Sequence, residues 1–189
     1  MKHKTLLIVA FAGVALAQLF VPGWLIGMKA DIALSGKEFR FKVDNNHSGS
    51  SLNGNYVWVR FKADRYLISD NKEWKRVQSV YVSFAEDSLG FAKIRSVSLK
   101  RPGDNSDWVK ARCYIALNDS VTLRLNYPFN YYYLENKDLN EIEKFVSKTL
   151  NDTTKNISLK VKIKENQFIV KSLMVDSLNI NDYVKRLGK

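Results

Sequence analysis

Ser50 and Ser51 have the first side chains with chemistry to offer, because a serine becomes a nucleophile once a base lies beside it. The matching base is Lys100, in Leu99-Lys100-Arg101-Pro102-Gly103-Asp104, since a buried lysine with a lowered pKa can take up a serine proton. Against that pairing, Pro-Gly-Asp-Asn is an ordinary turn sequence and the two serines read as loop residues. Cys113 is the single cysteine, which excludes an intramolecular disulfide. With His3 and His47 as the two histidines, the soft ligands are too few for a zinc site. Cys113 falls on the apolar side of an alternating run, where cysteine acts as a small core residue. No metal and no cofactor is expected.

Two further constellations could bind rather than react. The stretch Tyr127-Pro128-Phe129-Asn130-Tyr131-Tyr132-Tyr133 could form an aromatic platform, or serve as packing with hydroxyls reaching water. The chain carries a net charge of +11, of which Lys2 and Lys4 supply two, leaving +9 after the N-terminal apolar run. That surplus falls on positions expected to face outward: Arg40, Lys42, Arg60, Lys93, Arg95, Lys110, Arg112, Arg124, Lys160, Lys162 and Lys164. Like charges on neighbouring strands repel, so such a face is either solvated or matched by an anionic surface. The partners it fits are anionic lipid headgroups or another membrane protein. Nucleic acid is disfavoured, because no recognised binding motif accompanies the charge.

The elements that position these residues begin with an uncharged run from Thr5 to Met28, TLLIVAFAGVALAQLFVPGWLIGM. As a helix it would extend roughly 36 Å, enough to cross a ~30 Å hydrocarbon core. Pro22 is expected to break or kink its last third, and Trp24 suits an interface. Ala15-Leu16-Ala17 offers a cleavage site, but cutting there leaves a greasy new terminus, and the spanning length favours an anchor. The positive charges flanking the run do not by themselves point the rest outward. A long folded domain translocates regardless of its charge, and the extracytoplasmic side is the expectation. The organisation is thus an anchor over 1–29 and a basic, β-rich domain over 30–189, tied to the lipid bilayer through the N-terminal helix.

Past Lys37 the pattern is period two, as strands with one buried face require. Phe39, Phe41 and Val43 face one way, as do Val57, Val59 and Phe61. Val109, Ala111, Cys113, Ile115 and Leu117 alternate with polar neighbours; Asn118-Asp119 reads as a two-residue turn into Val121, Leu123 and Leu125. Leu159, Val161 and Ile163 lead through Glu165-Asn166 into Gln167–Val175, and weaker strands cover 77–84 and 92–99. Asp138-Leu139-Asn140-Glu141 resembles a capping box, followed by Ile142, Val146 and Leu150 at helical spacing. Asn181–Leu187 could add a final helix. The fold class is α+β, mainly antiparallel β with one packed helix, after an N-terminal transmembrane helix.

A serine after an anchor and a lysine in a later strand superficially resemble the type I signal peptidases. Aligning Gly54 with the glycine of that family's S-M-x-P-T-L-x-x-G-D motif puts Asn46, not serine, at the nucleophile position. Several residues separate that family's lysine-arginine pair from its Pro-Gly-Asp; here nothing does.

The chain more closely resembles the GDYXXLXY protein family, in the stretch Gly54-Asn55-Tyr56-Val57-Trp58-Val59-Arg60-Phe61. Gly54 and Tyr56 match; Asn55, Val59 and Phe61 stand where Asp, Leu and Tyr are expected. Leu34-Ser35-Gly36-Lys37, Val80-Tyr81-Val82, Leu123–Tyr127, Tyr132–Glu135 and Gln167–Asp176 extend the resemblance. It implies an N-terminal transmembrane helix and association with other membrane proteins, and it carries over no catalytic residue. The motif reads as structural, with Gly54 giving backbone freedom where a loop enters a strand. The expected function is a membrane-anchored extracytoplasmic interaction or accessory component of a bacterial envelope complex. The alternatives are a membrane-bound Ser/Lys hydrolase and a ligand-binding module built on the Tyr127–Tyr133 cluster.

Overall fold

The computed structural model describes residues 2–44, 51–53, 56–68, 74, 77–103, 107–116, 119–134, 148–150 and 152–182. Leu, Ile, Val, Phe and Ala on every side of the N-terminal run leave no polar face, and the run forms one helix, α1 (Lys2–Ser35). Its length is about 51 Å at 1.5 Å per residue. Among the described residues it is the helix long and apolar enough to cross a membrane, with a mean hydropathy of 2.2. Pro22 does not break it: the helix continues to Ser35, past the apolar run and through Lys29 and Asp31. The helical Pro22 leaves the carbonyl four residues back without its usual donor; that is a local loss, and flanking turns of good helix formers tolerate it.

One residue, Gly36, separates α1 from β1 (Lys37–Lys42). The other strands are β2 (Ser51–Asn53), β3 (Tyr56–Trp58), β4 (Arg65–Leu67), β5 (Val77–Glu86), β6 (Ala92–Ser98) and β7 (Trp108–Ala116). They are followed by β8 (Asp119–Asn126), β9 (Tyr131–Tyr133), β10 (Ile157–Lys164), β11 (Gln167–Val175) and β12 (Leu178–Asn179). All pairings are antiparallel, in sheets ordered β1-β10-β11-β12, β2-β3-β9 and β4-β8-β7-β5-β6. The architecture is α+β, mainly antiparallel β, preceded by the long apolar helix.

Most of the inward residues expected from the alternation are buried; Ile115 is half-buried, and the side chains of Leu117 and Val121 lie outside the described residues. Phe39, Phe41 and Val43 join Val57, Val59, Phe61, Val80, Val82, Val109, Ala111 and Cys113 in one core with Leu159, Val161 and Ile163. At its centre Phe41 meets Phe84, Phe129 and Phe61 at 4.9, 4.9 and 5.3 Å between ring centroids. Glu165 and Asn166 make the β10–β11 turn with φ of 44° and 68°, the two positive values a tight hairpin needs. The β7–β8 turn differs from expectation by one residue. Ala116 pairs with Asp119 beside a register shift, so Asp119 is already strand; residues 117 and 118 lie outside the described residues. The capping box at 138–141 and residues 183–187 of the final helix lie outside the described residues. Helical residues 148–150 carry a buried Leu150, and 180–182 form a helical turn.

Candidate functional site

The junction of α1 with the sheet is built from β10, whose alternation turns three lysines to one face. Lys164 Nζ pairs with Asp31 Oδ2 at 2.7 Å and donates to Ser35 Oγ at 2.9 Å. Lys162 donates to the Ala33 carbonyl at the helix end. Lys29 Nζ donates to Phe168 O at 3.2 Å and lies 5.7 Å from that ring's centroid. Ile32 is 1% exposed, although the apolar residues before it are open on all sides. Gly36 sits where a Cβ would come within 2.5 Å of Ile32 O, so only glycine fits this passage from helix to strand without a shift.

The expected basic face is therefore split. Lys162 and Lys164 hold the helix, and Lys160 pairs with Glu38 at 4.0 Å. Arg40 and Lys42 lie over the Phe91 ring, at 4.3 and 5.2 Å from its centroid. Lys110 and Arg112 are exposed on β7. A separate basic groove of about 620 Å³ opens near the helix end, lined by Lys37, Arg95, Lys100 and Arg101. Arg95 is the extra residue of a β-bulge, between Ser83↔Ser96 and Phe84↔Ile94, and a bulge re-aims a side chain.

A second cleft lies along β3 and the segment that follows it to Phe61. Val57, Val59 and Phe61 turn into the core, which turns Trp58 and Arg60 the other way. Across from them stand Tyr114 of β7 and Arg124 and Asn126 of β8, enclosing about 280 Å³. Arg60 rests 5.4 Å from the Trp58 ring, a contact that restrains the guanidinium. The Asn130 carboxamide, turned to accept from Trp58 Nε1 at 2.7 Å and to donate to Tyr127 O at 3.2 Å, braces the wall. Asp64 lies at the rim, 3.7 Å from Arg65 Nε. Burial pushes its carboxyl pKa up and Asp44 adds to the rise, even though Arg65, Arg124 and Arg60 all favour the charged form. Tyr127, fully buried behind the cleft, donates to Ala63 O; burial raises its hydroxyl pKa well above the ordinary value.

The remaining sequence candidates are distributed as follows. Gly54, Asn55 and Ser50 lie outside the described residues. Tyr56 is exposed and packs edge-on against Tyr133 at 5.2 Å. The aromatic stretch is divided: Tyr127, Phe129 and Tyr132 are buried, whereas Tyr131 and Tyr133 face outward on β9, so the five rings line no common pocket. Ser51 belongs to the three-stranded sheet, whereas Lys100 follows the edge strand of the five-stranded sheet. Asp64, Tyr114, Asn126 and Asn130 were not anticipated as site residues. β4, which follows Asp64, is three residues long, too short to show a period.

A family model described as GDYXXLXY protein matches residues 18–172. The chain belongs to the GDYXXLXY protein family. The match takes in the second half of α1, the helix junction, the motif strand and both clefts. No curated protein and no solved structure matches the chain.

Proposed function

We propose that this GDYXXLXY protein is a membrane-anchored, extracytoplasmic interaction protein, an accessory component of a bacterial envelope complex. On this reading residues 1–29 form the anchor and 30–189 the working domain. The observation that carries it is the junction: α1 passes into β1 through one glycine, and four side chains of its last turns are tied to or buried against the β10–β11 hairpin. A cleaved leader has no use for such a seat. A tether serving only to keep an enzyme near the bilayer would be joined by a flexible segment. A seated helix instead holds the domain at one height and angle above the lipid.

That pose has consequences for both faces. Lys37 follows the helix end by two residues, so the basic groove lies within about 10–15 Å of the apolar run's end, close to the range of headgroup potential. Trp108, whose carbonyl accepts from Asn166 N at 2.8 Å, marks the same end on β7. Tyr114 lies six residues further, about 20 Å along the strand, so the motif cleft is displaced from the bilayer and open to a partner.

The experiment is protease protection of a C-terminally tagged chain in right-side-out and inverted vesicles, followed by crosslinking from Lys110 and Arg112 positions. Digestion in right-side-out vesicles and protection in inverted ones supports the reading, as does capture of an integral membrane protein. The reverse pattern of protection sinks the extracytoplasmic assignment, and extraction by alkaline carbonate sinks the anchor.

A further inference from the structure

We propose that the motif cleft is a binding site for the oxyanion end group, a carboxylate or a phosphate monoester, of a small organic molecule. This goes beyond the interaction role above and does not depend on which side of a membrane the domain occupies.

Three observations converge. The first is shape: Trp58, Phe61, Leu125 and Tyr127 supply apolar walls to a volume of about 280 Å³, at the lower end of small-ligand pockets. The second is charge: Arg60 and Arg124 line the cleft, and among its described lining residues Asp64 is the carboxylate. The guanidinium fork matches two oxygens of a carboxylate or phosphate at once. The third is an electrostatic cost that the fold accepts. Arg65 and Arg124 are direct cross-strand partners in β4 and β8, and Tyr114 continues the same row from β7. Like charges directly opposite each other destabilise a sheet pair. Asp64, 3.7 Å from Arg65 Nε, is one carboxylate against the three arginines 60, 65 and 124, so it offsets only part of their charge. An arriving oxyanion would relieve the repulsion while accepting hydrogen bonds from the arginines, with Tyr114 and Asn126 as neutral donors beside them.

The recognition elements fall on both sides of the cleft. Arg60 lies two residues past the end of β3, restrained by Trp58, and Arg124 is on β8, so a ligand would bridge the segment leaving the three-stranded sheet and the five-stranded sheet. Residue 60 is an unspecified position of the family motif, flanked by the core residues Val59 and Phe61.

The test is thermal unfolding of the full chain in detergent at constant ionic strength, titrated separately with succinate and with glycerol phosphate, with chloride as the screening control. The expected result is a saturable rise in Tm with at least one of the two probes and none with chloride. Response to succinate alone identifies a carboxylate ligand, and response to glycerol phosphate alone a phosphate ester. Arg124→Gln and Arg60→Gln should each weaken the apparent dissociation constant about tenfold or more, whereas Lys110→Gln, on the exposed face of β7, should leave it unchanged. Without ligand, Arg124→Gln should melt close to wild type, since it removes both the repulsion with Arg65 and the attraction to Asp64. If that variant fails to fold, Arg60→Gln decides. No saturable response to either probe, or an equal response in the arginine variants, overturns the proposal.

Discussion

Replacing Gly36 by alanine is the sharpest way to ask whether α1 and the β domain form one mechanical unit. A Cβ at this position would lie 2.5 Å from the Ile32 carbonyl oxygen, 3.2 Å from Ile32 Cγ2 and 3.4 Å from the Ile163 carbonyl oxygen. Ordinary contact begins at 3.4 Å, so the helix end must withdraw by about 0.9 Å. The two carbonyl oxygens are backbone atoms that cannot swing aside as a side-chain tip could. Ile32 O already accepts from Gly36 N at 2.9 Å, and Ile163 belongs to the β10 strand paired with β1. Withdrawal also strains the Lys164–Asp31 contact and the buried Ile32. Overpacking of this kind costs about 1–3 kcal/mol, and the reduced freedom of the unfolded chain returns roughly 0.4–1 kcal/mol. The net loss is about 1.3 kcal/mol, or roughly 3–5 °C in Tm for a chain of this size. Thermal unfolding in detergent micelles, followed by tryptophan fluorescence, measures it. Gly27→Ala is the control, because nothing lies within 4 Å of a Cβ there. If both variants melt within about a degree of wild type, the helix is not seated on the sheet and the reasoning about a fixed pose fails.

Three other outcomes are expected. Phe41→Ala opens a cavity among Phe39, Phe61, Phe84 and Phe129 and should cost about 3–5 kcal/mol by chemical denaturation, whereas Leu89→Ala, 71% exposed, should stay within about 0.5 kcal/mol. A double-mutant cycle on Asp31→Asn and Lys164→Gln should give a weak coupling that fades with salt, since the side chains are 58% and 36% exposed; a large, salt-independent value would contradict this. Tyr127 keeps its proton in the folded state above the pH where an unfolded tyrosine ionises, so its contribution is lost as pH rises beyond about 10. Tyr127→Phe, which removes the bond to Ala63 O at about 1 kcal/mol, should flatten that alkaline decline relative to wild type; an unchanged slope would locate the decline elsewhere.

The elements read most clearly from sequence were those whose own residues carry the signal. Phe39-Arg40-Phe41-Lys42-Val43 alternates strictly, and Glu165-Asn166 has the residue types a hairpin turn requires, so β1, β10 and β11 were legible with their buried faces. β4 and β9 were not. A three-residue strand shows no period, and the tyrosines at 131–133 alternate exposed, buried, exposed although their chemistry is identical. Pairing supplied what composition could not, because Tyr56↔Tyr133 and Val57↔Tyr132 set which ring turns inward. The lysines at 160, 162 and 164 show the same gap between pattern and role. Their alternation correctly put them on one face of a strand, but nothing local to them shows that a helix more than a hundred residues earlier lies along it.

The motif strand joins the legible and the illegible parts of the molecule. Its period-two pattern separates two roles along six residues. Val57, Val59 and Phe61 hold the strand in the core, each no more than 1% exposed, and this fixes the directions of Trp58 and Arg60. The positions matched to the family's last two letters, Val59 and Phe61, are therefore packing positions, as is Val57 among those written as unspecified, whereas Trp58 and Arg60 face the cleft. A leucine or a tyrosine at those packing sites would serve the same purpose as Val59 or Phe61, since volume and apolarity are what a core requires. Arg60 acquires its meaning only from Arg124 and Tyr114, which the β-sheet brings from more than fifty residues away. An arginine alone on a strand is a solvated charge. Facing a second arginine across a walled cleft of about 280 Å³, it has the geometry of a receptor for an oxyanion.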